Sequence, residues 1–254
     1  MRQVDQLGAA ILAALAPLAL LLVRRNPESL GLHTDGENGT QNPNRAPGTR
    51  DQEPPGYTLP DALRTPAFWI FAIGAALYGL VASGIGLFNE SILAERGLGP
   101  DVYYQTLVIT AMTGLAGNFI GGWLARSVAL NRLMAISLLV LAAGLLALPH
   151  VGTLAMAMAW ATTMGLGGGL VMVLFFSVWP RIYGRRQLGR IQGVAQAMTV
   201  LASAVGPLLL AACVEMTGSY AAMFYFLASA VGTCALAAVS LDRSPFTLTA
   251  YLDR

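Results

Sequence analysis

The sequence predicts an all-α, polytopic membrane protein: a six-helix transmembrane bundle with one further helix before it. Three observations carry that prediction. Six apolar stretches follow one another between Pro66 and Leu241, and none has a charged residue in its interior. A helix of about 20 such residues, at 1.5 Å each, crosses a hydrocarbon layer of about 30 Å. The chain is 56% hydrophobic and 11% charged, where soluble domains carry roughly 25% charged residues. In lipid only helices and closed barrels satisfy their own backbone, and stretches of this length belong to helices.

The elements follow in order. Leu7–Val23 reads as a transmembrane helix within residues 1–23. Arg2 and Asp5 precede it and Arg24 and Arg25 follow it, which argues against a cleaved signal peptide. Residues 24–65 contain Pro27, Pro43, Pro47, Pro54, Pro55 and Pro60 among polar residues and read as a mobile linker. The six-helix bundle occupies residues 66–241. Its spans are expected near Ala67–Phe88, Tyr104–Leu124, Leu133–Leu148, Leu154–Val178, Ile191–Val214 and Tyr220–Leu241. Residues 242–254 form a tail.

Arginine sets the orientation. All fifteen basic residues are arginines, and thirteen fall in the linker, in alternate connections and in the tail, leaving Arg2 and Arg96 opposite. Membrane proteins retain the arginine-rich side in the cytoplasm. The expectation is therefore an outside N-terminus, a cytoplasmic C-terminus and seven spans in a plasma membrane (a bacterial inner membrane). Spread over these turns, the arginines form no nucleic-acid site. Cys213 and Cys234 lie in apolar spans and read as reduced thiols, and no metal-ligand spacing is present. His33 and His150 have no sequence neighbour to act with, and no cofactor is expected.

Polar side chains at depth are the candidate site. Tyr78 lies about 18 Å along its helix from Pro66, and Thr113 about 14 Å from Tyr104. Thr162, Thr163, Gln196 and Thr199 reach similar depths. Gln192, Gln196, Thr199 and Ser203 share one helix face, as do Thr106, Thr110, Thr113, Gly117 and Gly121. Such stripes either line a water-filled cavity or bond to neighbouring helices, and a Thr in a membrane helix often bonds its own backbone. Asn89 and Glu90 are placed at the end of their span, as exposed loop groups or as an outer gate. The span around Leu139 and Leu145 is nearly featureless, and both leucines are expected to face lipid. The glycine runs GLAGNFIGG and GLGGGL permit close helix contact; neither is followed by the Lys-Ser/Thr of a phosphate loop. No nucleophile–base pair or carboxylate dyad lies in the spans, so the chain does not read as an enzyme.

Several segments are familiar together. LLVRRNPESLGL, a long linker and TLPDALRTPAFWIFAI resemble the end of the sixth helix, the central loop and the start of the seventh helix of major facilitator superfamily transporters. FNESILAERGLGP, GGWLARSVALNRLMA, IYGRRQLGRIQGVAQ and AVGPLLLAACVEMTGSYAAMFY resemble the connections that follow, to the twelfth helix. The resemblance is nearest to bacterial monocarboxylate and oxalate–formate members. It implies a six-helix half-bundle of that fold plus one preceding helix, corresponding to helices six to twelve, built from inverted three-helix repeats. It also implies secondary-active transport of a small solute, such as an organic anion, by the C-terminal half or a truncated form of a transporter.

In that family helices seven, eight, ten and eleven border the cavity. The resemblance thus assigns Tyr78, Thr113, Asn118, Thr162, Thr163, Gln192, Gln196 and Thr199 to a substrate cavity, with Asn89 and Glu90 at an outer gate. Arg126, Arg132, Arg185, Arg186 and Arg190 fall in cytoplasmic loops. Arg126 stands in L-A-R-S where the family often has an acidic residue. The expected partners are a small-molecule solute, the lipid bilayer and either a missing N-terminal half or a second copy. The alternative is a non-transporting assembly or regulatory half-protein.

Overall fold

A computed structural model describes residues 56–241. The expected first span, residues 24–55 of the linker and the tail 242–254 lie outside the described residues. Seven α-helices are present among the described residues: α1 (Leu59–Leu63), α2 (Pro66–Glu95), α3 (Pro100–Leu124), α4 (Leu130–Ala147), α5 (Leu154–Tyr183), α6 (Leu188–Thr217) and α7 (Ala221–Ser240). A 3₁₀ turn, Leu148–His150, extends α4. Helices α2 to α7 are each long and apolar enough to span a membrane, as the sequence predicts.

Local chemistry sets the boundaries. Pro66 starts α2 where its missing N–H costs nothing, and Thr65 Oγ1 accepts from Phe68 N at 3.3 Å. Pro100 opens α3 in the same way, and Thr153 caps α5 by accepting from Met156 N at 3.3 Å. Gly218, at φ +74°, closes α6 in the left-handed conformation that glycine adopts without strain. Pro180 and Pro207 sit inside unbroken helices. α2 runs beyond the expected end near Phe88 to Glu95, so Asn89 and Glu90 lie within a helix instead of closing one.

The helices pair in a repeating pattern. The most extensive contacts join α3 to α5 and α2 to α6, followed by α4 to α7 and α4 to α5. Exchanging the triplets α2–α3–α4 and α5–α6–α7 converts the α2/α6 pair into the α5/α3 pair. This is the relation expected of two three-helix repeats. α2 also meets α5, so α3, α5, α2 and α6 form one row with α4 and α7 behind it.

Both dominant pairs are glycine seams. A Cβ placed on Gly165 would collide with Thr113 Oγ1, and one on Gly169 with the carbonyl oxygen of Gly114. In the α2/α6 seam a Cβ on Gly206 would collide with the carbonyl oxygen of Leu80, and one on Gly79 would lie 2.7 Å from Ser203 Oγ. Lipid gives apolar helices little reason to associate by burial alone, so close backbone packing holds such pairs.

Turns alternate between two ends. At the arginine-rich end, Arg181 of α5 donates to the carbonyl of Ala125 beyond α3. At the opposite end Ser219 donates to Glu95 at 2.6 Å, and Tyr225 Oη lies 3.2 Å from His150 Nε2. His150 has no candidate partner nearby in sequence; the chain fold brings Tyr225 to it from 75 residues away.

Residues 56–65, read from sequence as the end of the linker, are built into the arginine-rich end. Gly56 pairs with Gly184 in an antiparallel bridge, and Tyr57 N donates to Tyr183 O at 2.9 Å. Leu59 N donates to Gln187 Oε1 at 2.9 Å, and Thr65 Oγ1 lies 2.6 Å from Tyr183 Oη. A Cβ on Gly56 would approach Tyr183 O to 2.7 Å, so only glycine permits this approach.

Leu139 is 50% exposed on the outer surface, but Leu145 is fully buried. The expectation that both face lipid fails at Leu145 because α4 is the helix packed against both α5 and α7. Six positions separate the two leucines, which turns them to different faces of a 3.6-residue helix.

Candidate functional site

The row α3–α5–α2–α6 leaves one broad face open. Only 11% of the α3 span and 17% of the α6 span are buried, against 61% of α5. Two clefts lie in this region. The first, of about 450 Å³ between α2, α5 and α6, has Gln196, Thr199 and Ser203 on its α6 side and Met172, Phe175 and Phe176 on its α5 side. Tyr78 and Ser83 of α2 complete it. The second, of about 370 Å³ between α2, α3 and α5, is lined by Asn118, Thr110 and the glycines 114, 165, 168 and 169. Tyr78 and Met172 border both clefts and form the ridge between them.

Tyr78 owes its place to Gly168. A Cβ there would lie 2.7 Å from the Tyr78 hydroxyl and 2.9 Å from its ring, so the glycine supplies the flat bed on which the ring rests. The sequence shows the glycine run but not which side chain it accommodates.

Hydrogen bonding separates the polar candidates into two groups. The threonines satisfy themselves. Thr113 Oγ1 donates to Ile109 O at 2.7 Å, Thr162 to Met158 O at 2.9 Å, Thr163 to Ala159 O at 2.9 Å and Thr199 to Ala195 O at 3.0 Å. These bonds to the preceding turn are the usual fate of a hydroxyl in a membrane helix. Tyr78, Asn118, Gln192, Gln196 and Ser203, in contrast, have no side-chain hydrogen bond among the described residues. Of these, Tyr78, Asn118, Gln196 and Ser203 line the clefts.

The remaining candidates disperse. Thr113 lies in the α3/α5 seam against Gly165, while Thr162, Thr163 and Gln192 line neither cleft. The threonine stripe on α3 mostly packs: Thr106 is fully buried and bonds Tyr103 O at 2.7 Å, and Thr110 reaches across to Ala161 O at 3.4 Å. Asn89 is only 5% exposed with its Oδ1 unpartnered, whereas the next residue, Glu90, is exposed. Arg126, Arg132, Arg185, Arg186 and Arg190 are all exposed at one end of the bundle.

Sequence reasoning missed the apolar side of the first cleft. Met172, Phe175 and Phe176 look like ordinary span residues. The one available signal was their position directly after GLGGGL, where small residues leave room for a space beside the helix. Two polar contacts at the arginine-rich end, made by Arg181 and Gln187, were missed as well.

Among the described residues no group of three His, Cys, Asp or Glu could hold a metal ion. Both cysteines are free. No curated protein matches the sequence. The Major Facilitator Superfamily family model does match, over residues 71–250, which takes in nearly all of the bundle just described. The chain therefore belongs to the major facilitator superfamily of membrane transporters.

Proposed function

We propose that the chain takes part in secondary-active transport of a small solute, and that its open face is one wall of the solute path. One observation carries this reading. Four side chains without a hydrogen-bond partner among the described residues, Tyr78, Asn118, Gln196 and Ser203, line the two clefts, while threonines at similar depth bond their own backbone. An unmet amide facing hydrocarbon costs several kcal/mol as an order of magnitude. Gln196 and Asn118 therefore call for water, a solute or a facing protein surface. Tyr78 and Met172, between the clefts, are then the residues both share.

The poorly covered helices α3 and α6 suit an arrangement in which this bundle is the C-terminal half, or a truncated form, of a transporter. A missing N-terminal half or a second copy would cover the face, and alternating access would rock one bundle against the other. The resemblance to monocarboxylate and oxalate–formate members suggests an organic anion. Among the described residues no arginine or histidine lines either cleft, so an anion's charge would have to be met from beyond this wall. A non-transporting assembly protein is the competing reading, in which the same face serves only for helix association.

Thiol labelling separates the two. A single cysteine in place of Gln196 or of Leu139, with Cys213 and Cys234 replaced, is treated in membranes with a water-soluble thiol reagent. The reactive species is the thiolate, which forms where water reaches. A wetted path predicts labelling at 196 roughly tenfold faster than at 139; equal rates would favour the association reading.

The arginine distribution suggests a bacterial inner-membrane location with the arginine-rich turns in the cytoplasm. Reporter fusions at Asn131 and Gly184 are expected to report inside, and those at Gly99, Val151 and Gly218 outside. A periplasmic signal at Gly184 would reverse the orientation.

A further inference from the structure

We infer that the cleft between α2, α5 and α6 selects an uncharged solute that has an apolar or aromatic body and a hydrogen-bonding edge. This rests on the reading of the cleft as a solute site and specifies what it holds. The two long walls differ in chemistry. α5 presents Met172, Phe175 and Phe176, which offer ring faces and a polarisable sulfur. α6 presents Gln196, Thr199 and Ser203. A ligand between them meets carbon on one side and hydrogen-bonding groups on the other, which suits a flat molecule whose polar atoms lie along one edge.

The polar wall also has a definite donor and acceptor balance. A glutamine amide offers two donors and one acceptor oxygen, and the Ser203 and Tyr78 hydroxyls each donate and accept. Thr199 contributes less, since its hydrogen is used on Ala195 O at 3.0 Å. This set pairs fully with a neutral amide or hydroxyl, which also both donates and accepts. A carboxylate only accepts, and among the described residues no cationic side chain stands on this cleft to balance it. A charge brought into such surroundings without a partner is strongly disfavoured, so this chain's own wall prefers a neutral ligand to the organic anion that the family resemblance suggests. The cleft's volume of about 450 Å³ admits a single-ring compound with room for water at the edge.

Benzamide and benzoate are the matched probes, because they share ring, shape and size and differ in an amide against a carboxylate. The reporter is Ala82→Cys, a position that lines the same cleft without belonging to its polar wall, in the full chain with Cys213 and Cys234 replaced by alanine. Its reaction with a water-soluble thiol reagent is followed with millimolar benzamide or benzoate at neutral pH. Benzamide is expected to slow labelling and benzoate to do so much less. Gln196→Leu should raise the benzamide concentration needed by roughly tenfold, the equivalent of one lost hydrogen bond. A melting curve of the unmodified chain gives a second readout, in which benzamide raises the midpoint more than benzoate does.

Equal protection by both probes, protection by neither, or protection indifferent to Gln196→Leu would overturn the assignment. The parent reading fails separately: if the Ala82→Cys reporter does not react even without a probe, the cleft is not a wetted site and both fall. Ready labelling without selective protection removes the solute class alone.

Discussion

Gly169→Ala is expected to destabilise the bundle by more than about 2 kcal/mol, although alanine is the better helix former by about 1 kcal/mol. The added methyl would collide with the carbonyl oxygen of Gly114 and lie 2.9 Å from the backbone nitrogen of Asn118. Both are main-chain atoms of α3, so no side-chain rotation relieves the overlap, and the helices must separate along the seam. That matters more for α3 than for any other helix, because its packing is almost wholly against α5. Gly122→Ala is the control. It lies on the same α3 helix with nothing within 4 Å of its added Cβ, and should leave stability unchanged or raise it by up to about 1 kcal/mol. Thermal midpoints of the purified variants in detergent check the pair. Equal midpoints would show that the seam is not held by backbone contact.

Tyr183→Ala is expected to release residues 56–65 from the bundle at a cost of about 3–5 kcal/mol, the range for removing a large buried ring. Tyr183 is 1% exposed. Its ring stacks on Trp179 at a centroid distance of 6.2 Å and meets Tyr57 edge-on at 5.5 Å. Its hydroxyl bonds Thr65, the cap of α2. Tyr183→Phe keeps the ring and loses only that bond. It should cost about 1 kcal/mol, because Thr65 Oγ1 still has Ala62 O at 2.7 Å as an acceptor. The readout is trypsin cleavage after Arg64, which is exposed but held beside α1. Cleavage should accelerate strongly in Tyr183→Ala and slightly in Tyr183→Phe, because proteolysis follows the population of locally open chain. Unchanged cleavage in Tyr183→Ala would place the anchor of this segment elsewhere.

The sequence by itself determined the six apolar helices of the bundle and which of their turns share an end. Each span carries that information in its own residues: enough apolar length to cross lipid, and no charge until the turn. Tertiary structure alone decided which faces meet. Leu139 and Leu145 are chemically identical, and lipid is as apolar as a protein interior, so hydrophobicity does not tell a lipid-facing leucine from a packed one. Depth was equally silent about Thr162 and Gln196. A threonine can return its hydrogen bond to its own helix, as Thr162 does to Met158, while Gln196 is left turned into a cleft with no protein partner among the described residues. The glycine runs were visible from the start, but their partners were not. Whether Gly168 seats Tyr78 or Gly169 touches Gly114 depends on helices brought together from distant parts of the chain. That pairing follows from the whole set of backbone approaches, which no single span contains.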